Sequence, residues 1–368
     1  MTAGPFTPGA VVVTGGAGFI GSNLVRYLLR ERRRLRVIVL DSLAYGGNLE
    51  SLADVAAEHG PAGDGRYWFI HGNILDSQLV AKILSGAALD AGTGRPVPHA
   101  DAVLHLAAES HVDRSIIAAA PFVSTNVQGT VALLEAARAE LARSPRPFRF
   151  VNVGTDEVYG ALDLEQPPLK EDAPLRPNSP YAASKAAADC FARAYVHTHG
   201  VPIILTRCTN NYGPFQFPEK LIPLMIVRAL RNEPLPVFGD GHHVRDWIHV
   251  EDHAAALLAV LERGSPGSVY NIGAAAELQN LEVVRRVLAL LDRPESLIRF
   301  VEDRPGHDRR YALDASRIGS ELGWHPRHVF GDGLEQTVGW YMANRGWWER
   351  VLSEAYRATN ELYLTGPA

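Results

Sequence analysis

Tyr181 and Lys185 stand four residues apart in the run Tyr181-Ala-Ala-Ser-Lys185. On a helix, that spacing puts a phenol and an ammonium on one face. A cation beside a phenol lowers its pKa toward neutrality, and the phenolate can take a proton from an alcohol. A second group is Thr155-Asp156-Glu157. Adjacent carboxylates are common in solvated loops and at helix starts. Beside a phenol and an ammonium they also suit a further acid–base task. One carboxyl would then be neutral and act as acid, and the other ionised and act as base.

A third group is Gly15-Gly16-Ala17-Gly18-Phe19-Ile20-Gly21, in which Gly15, Gly18 and Gly21 have the spacing G-x-x-G-x-x-G. It follows an apolar run at 10–14 and opens a segment with helical spacing at 22–32, through Leu24, Tyr27, Leu28 and Leu29. In that context the glycines allow a tight turn and a close approach to a pyrophosphate, with a helix N-terminus aimed at the anion. Asp41 lies 20 residues after Gly21. A carboxylate there can accept both ribose hydroxyls of an adenosine and would repel a 2′-phosphate, so NAD is favoured over NADP. The alternative is a cap for the turn at Ser42. Leu106, Ala107 and Ala108 are small or apolar residues that let a cofactor pass close to the backbone.

These groups need a scaffold. The runs 10–14, 36–40, 67–71, 102–106 and 148–153 read as buried strands. The segments 22–32 and 126–141 read as helices. Alternation of this kind predicts an α/β fold with a doubly wound parallel (Rossmann) sheet. Residues 60–65 and 92–98 read as surface loops. Beyond about residue 205 the pattern is irregular and proline-rich, with Pro214, Pro218, Pro223, Pro234 and Pro236. That predicts a smaller α/β lobe over the carboxyl edge of the sheet, where ligands of such sheets bind.

The bulk properties exclude several classes. The net charge of −5 gives no global attraction to nucleic acid, and the basic run 30–36 reads as a helix end. Cys190 and Cys208 form neither a disulfide framework nor a metal motif, which fits a reduced, cytoplasmic setting. No segment is long and apolar enough for a bilayer, and residues 1–9 lack the pattern of a signal peptide. His242-His243 have no carboxylate or Cys partner at ligand spacing, so they read as a loop and no metal is expected.

Six motifs together are more specific than the Tyr/Lys pair. They are His105-Leu-Ala-Ala-Glu-Ser-His-Val-Asp-Arg-Ser115, Thr155-Asp-Glu-Val-Tyr-Gly160, Asn210-Asn-Tyr-Gly-Pro214, Phe217-Pro-Glu-Lys-Leu-Ile-Pro223, Val244-Arg-Asp-Trp247 and Arg304-Pro-Gly-His-Asp-Arg-Arg-Tyr311. Through them the chain resembles the dTDP-glucose 4,6-dehydratases, of the extended short-chain dehydrogenase/reductase type, over about residues 10–318. The resemblance implies the following roles. Tyr181 removes the 4-hydroxyl proton, and Lys185 holds the nicotinamide ribose. Glu157 takes the C5 proton, Asp156 protonates the departing 6-hydroxyl, and Thr155 hydrogen-bonds near the 4-oxygen. NAD accepts hydride from C4 and returns it to C6. Phe19, Ile20, Asn73, Ile74 and Thr125 join the cofactor contacts. Ser110, Asn210, Lys220, Arg245, Asn280 and His307 would meet the substrate, mostly at its phosphates, and Leu221, Pro236 and Phe238 would flank the base. A bland alternative for Arg245 is an ion pair with Asp246.

The resemblance divides the chain into an NAD domain at 1–205, with part of 245–275 returning to it, and a region at 206–368 that is mainly the nucleotide-sugar lobe. It also implies a homodimer through helices 125–141 and the one after Tyr181. The sequence departs from the family pattern at Asn73 (usually Asp), at Gly154 (often Ser or Thr) and at Phe238 (frequently Tyr). Three other readings remain at this point. A UDP-glucose 4,6-dehydratase differs only in the base. A UDP-sugar epimerase or decarboxylase has no use for the Asp156-Glu157 pair. A non-catalytic NAD-binding protein would usually have lost Tyr181 or Lys185.

Overall fold

Apolar runs too short for helices and flanked by turns become the strands of a central sheet. In chain order the strands are β1 (Ala10–Thr14), β2 (Arg36–Asp41), β3 (Tyr67–His71), β4 (Ala102–His105), β5 (Arg149–Thr155), β6 (Ile203–Cys208), β7 (Asn210–Tyr212), β8 (Leu235–Phe238), β9 (Val244–His249), β10 (Val269–Ile272), β11 (Glu277–Gln279) and β12 (Ile298–Val301). The computed structural model describes residues 6–90 and 93–353. Residues 1–9, 92–98 and 206–368, read above from the sequence, therefore extend in part outside the described residues.

Seven strands form one parallel sheet in the order β10-β6-β5-β4-β1-β2-β3. The order runs one way from β1 to β3 and the other way from β4 to β10. The reversal between β1 and β4 opens a crevice at the carboxyl ends of the strands. Alternate residues of each strand serve two cores. Val11, Val13, Val37 and Val39 pack with Leu24 and Leu28 on one face. Val12, Ile38, Leu40 and Phe150 pack with Leu133 and Leu134 on the other. β10 lies far along the chain, and its place at the sheet edge comes from pairing with β6.

Beyond β6 the chain builds smaller units. β11, β9 and β7 form a three-stranded sheet, and β12 pairs with β8 in parallel. A third core, including Tyr212, Ile226, Val237, Val284 and Trp348, holds this region together.

One local expectation is corrected. The helix foreseen at 126–141 runs Gly129–Arg143, and a π-helical turn, Val123–Gln128, precedes it. Such turns bulge a helix and often sit at functional sites. Here the turn carries Thr125 and Asn126.

Candidate active site

The crevice is a cleft of about 460 Å³. The glycine turn forms its floor. Gly15 has φ +70°, and a Cβ there would stand 2.8 Å from Ala107 Cα. A Cβ on Gly21 would stand 2.1 Å from the Gly15 carbonyl oxygen. Only hydrogen fits at both positions, so the turn after β1 and the turn after β4 approach to backbone contact. Thr14 Oγ1 accepts hydrogen bonds from the amides of Leu106 and Ala107, each at 3.2 Å. At the end of β2, Asp41 accepts from the amides of Ala17 (2.9 Å) and Leu43 (2.8 Å). Burial raises its carboxyl and the two amides oppose that rise. Asp41 thus caps the turn, one of the two roles foreseen, and also lines the cleft.

The helix Pro180–His199 presents Tyr181 and Lys185. Ser179 caps it by accepting from Ala182 N (3.1 Å), Pro180 starts it, and Gly200 ends it in the left-handed conformation. Ser115 Oγ accepts from Tyr181 N at 3.1 Å. Lys185 alone does not bring the phenol toward neutrality. Burial pushes the Tyr181 phenol well above its usual value, and Glu157, Cys208 and Asp156 add to the rise. Lys185 is itself lowered by burial, and its Nζ donates to the Val153 carbonyl at 2.8 Å. A phenolate at Tyr181 requires further positive charge in the cleft.

β5 delivers Thr155 at its carboxyl end, and a 3₁₀ turn, Asp156–Tyr159, follows. Thr155 Oγ1 donates to Asp156 Oδ1 (3.2 Å) and accepts from Glu157 N (3.3 Å). Asp156 Oδ2 is buried without a hydrogen-bond partner. Burial and the neighbouring Glu157 raise the Asp156 carboxyl well above its usual value. Glu157 is also raised by burial, but Arg304, Arg245 and Lys220 pull it down. Burial thus raises both carboxyls, and Glu157 is the one that three cations oppose.

Most of the residues singled out from sequence line this one cleft. They are Gly15, Gly18, Phe19, Ile20, Gly21, Asp41, Asn73, Ile74, Leu106, Ala107, Ala108, Ser110, Thr125, Thr155, Asp156, Glu157, Tyr181, Lys185, Asn210 and Lys220. Lys220 Nζ donates to the Ser110 carbonyl at 3.1 Å, across the cleft mouth. Leu221, Pro236, Phe238, Arg245, Asn280 and His307 do not line it. They belong to the second region, whose Asn210 and Lys220 line the cleft directly and whose Arg245 and Arg304 act on Glu157. The Arg245–Asp246 ion pair is not formed. Arg245 donates to the carbonyls of Val244 (2.7 Å) and Asp308 (2.9 Å), while Asp246 accepts from the amides of Ala274 and Ala276. Successive residues of β9 point to opposite faces, which separates the pair.

Sequence reasoning missed several lining residues: Tyr45, Cys208, Asn211, Gln216, Phe217 and Glu219. Burial raises the Glu219 carboxyl to about 7, and its Oε2 lies 3.4 Å from His111 Nε2. Only its place in the Pro-Glu-Lys motif next to Lys220 could have pointed to it. His242 and His243 lie in a loop, as read, but His243 has partners distant in the chain. His243 is buried against Asp303 and His307, which lie about 60 positions onward in the chain.

The family described as GDP-mannose 4,6 dehydratase matches residues 12–337. A dTDP-glucose 4,6-dehydratase of Neisseria meningitidis serogroup B is 49% identical, covering 94% of this chain and 97% of the relative. One from Escherichia coli is 46% identical, covering 94% and 97%. DesIV, a dTDP-glucose 4,6-dehydratase from Streptomyces venezuelae, is 48% identical with a TM-score of 0.84, covering 93% of this chain and 99% of that one. A UDP-glucose 4-epimerase from Thermotoga maritima shares the fold at 27% identity and a TM-score of 0.78, covering 91% of this chain and 99% of that one. With both the family match and relatives near half identity over nearly its whole length, the chain belongs to the dTDP-glucose 4,6-dehydratases.

Proposed function

We propose that this protein is an NAD-dependent lyase that converts dTDP-glucose to dTDP-4-keto-6-deoxyglucose. The observation that carries the reading is the Asp156–Glu157 pair, which lines one cleft with Tyr181 and Lys185. An epimerase has no step for the two carboxyls. NAD fits the cleft on two grounds. Gly15 and Gly21 leave room where side chains would block a pyrophosphate. Asp41 sits at the end of β2 and disfavours a 2′-phosphate. When bound, NAD supplies reversible hydride acceptance. The protein's own residues do the rest. Tyr181 takes the 4-hydroxyl proton with Lys185 beside it. Glu157, kept ionisable by Arg304, Arg245 and Lys220, removes the C5 proton made acidic by the 4-keto group. Asp156, neutral through burial, protonates the 6-hydroxyl as water leaves.

On this reading Ser110, Asn210, Lys220, Arg245, Asn280 and His307 meet the hexose and diphosphate, and Leu221, Pro236 and Phe238 flank the base. The NAD domain is 1–205 with part of 245–275, and 206–368 is mainly the nucleotide-sugar lobe. The same reading includes a homodimer through helices Gly129–Arg143 and Pro180–His199, where Phe191 is 42% exposed. Both cysteines are free, which suits a reducing cytoplasm. Among the described residues no helix is long and apolar enough to cross a membrane.

The test is incubation with dTDP-glucose and, separately, UDP-glucose, followed by mass spectrometry for loss of one water. Dehydration of the thymidine sugar supports the reading. Dehydration of UDP-glucose alone keeps the mechanism and overturns the base. No water loss from either, with NAD bound, overturns the reading.

A further inference from the structure

His243 and His307 come from different loops, yet their rings stack at 3.7 Å with an interplanar angle of 16°. Their side chains are 4% and 5% exposed. The pair straddles one carboxylate. His307 Nδ1 lies 2.6 Å from Asp303 Oδ1, and His243 Nε2 lies 3.2 Å from Asp303 Oδ2. Arg304 N also donates to Asp303, at 2.9 Å. Gly239 makes room for this arrangement. It has φ +56°, and a Cβ there would stand 2.9 Å from Asp303 Oδ2.

Burial raises the Asp303 carboxyl, but His307 and His243 outweigh it and hold it below the usual carboxylate range. Asp303 is therefore ionised, the hydrogen of neutral His307 sits on Nδ1, and Nε2 carries a lone pair. Burial, Arg304, Arg245 and His243 keep that ring neutral, and Asp303 opposes them. By donor type the cluster could hold a divalent cation. The arginines around it, Arg245, Arg304 and Arg309, instead favour an anion. A diphosphate carries two or more negative charges and reverses the local field.

We propose that Asp303, His243 and His307 form a proton-coupled grip on the substrate diphosphate, in which His307 takes one proton from solvent as the nucleotide sugar binds. The proton adds to Nε2, and no bond of the nucleotide changes. Asp303 holds the imidazolium at Nδ1, and the His243 ring lies over its face. This rests on the diphosphate contact proposed above for His307. Uptake of a proton on binding requires affinity to rise as pH falls. The slope is about tenfold per pH unit between the free-state and bound-state titrations of His307, and flat beyond them.

The test uses the full chain with NAD and the phenyl ester of thymidine diphosphate. That diester has no phosphate proton titrating near neutrality and no sugar to react. Calorimetry in two buffers of different ionisation enthalpy reads the protons exchanged. The wild type is expected to take up about one proton per chain. His307→Gln is expected to bind more weakly with no buffer dependence, and Asp303→Asn to show reduced uptake. Binding with equal heats in both buffers overturns the grip and leaves the dehydratase reading intact. Uptake that persists in folded His307→Gln also overturns it. Failure of the diester to bind at any pH overturns the diphosphate contact and the grip together, while water loss from dTDP-glucose still judges the dehydratase reading separately.

Discussion

Asn126 Nδ2 donates to Ser184 Oγ at 2.8 Å, joining the π-helical turn to the helix that carries Tyr181 and Lys185. The same amide exchanges hydrogen bonds with both backbone groups of Glu109, at 2.8 and 3.0 Å. One buried side chain thus ties the loop after β4 to the catalytic helix. Asn126→Ala leaves several buried polar groups without partners. It is expected to cost about 2–4 kcal/mol of stability and to loosen NAD. Urea denaturation and NAD retention on gel filtration check both effects. Unchanged values in both would sink the idea.

Asp156 and Glu157 should separate by step. Asp156→Asn is expected to lower kcat about a hundred- to ten-thousandfold, because the leaving hydroxyl loses its acid. Glu157→Gln is expected to lose a similar factor and, in addition, solvent deuterium incorporation at C5. Single-turnover mass spectrometry in deuterium oxide distinguishes them. Identical isotope patterns in the two variants would refute the division of roles.

Gly154 immediately precedes Thr155 on β5. A Cβ there would lie 2.7 Å from the Thr206 carbonyl oxygen on β6. Gly154→Ser must spread β5 from β6 just before Thr155. The expected cost is about 1–3 kcal/mol of stability with a lower kcat. A thermal melt at or above that of the wild type would show that the strands yield without strain.

Three buried histidines set an acid limit. Burial lowers His105 and His253 to about 3 and His249 to about 4. Each is neutral when folded and takes a proton near its ordinary pKa when unfolded. Their stability is intact above about pH 6.5 and is lost as pH falls toward 4, at about 1.4 kcal/mol per unit for each. His328 opposes this. Its hydrogen bond to Asp252 raises it, so its contribution is full at low pH and is lost as pH rises through its folded value. These three rings contribute a positive slope below about pH 6.5, which His328 and the raised Glu219 oppose. Urea melts across that range should show stability falling, and His253→Asn should shallow the slope by about one proton. A flat profile would contradict the neutral state of these rings.

The sequence alone determined the parallel sheet, the glycine turn, Asp41 and the Tyr181–Lys185 face. Each depends on residues within one strand–turn–helix unit, where spacing dictates geometry. The carboxyl pair was legible for the same reason, since β5 must deliver Thr155-Asp156-Glu157 to the edge where ligands bind. Tertiary structure decided what neighbouring residues along the chain cannot. It separated Arg245 from Asp246, replaced part of an expected helix with the π-helical turn at Asn126, and buried Glu219 in the cleft. It also stacked the loop residue His243 on His307. Protonation states belong to this second class. The Tyr181 phenol is raised although Lys185 lies four residues away, because burial acts on the whole site while spacing speaks only for one helix.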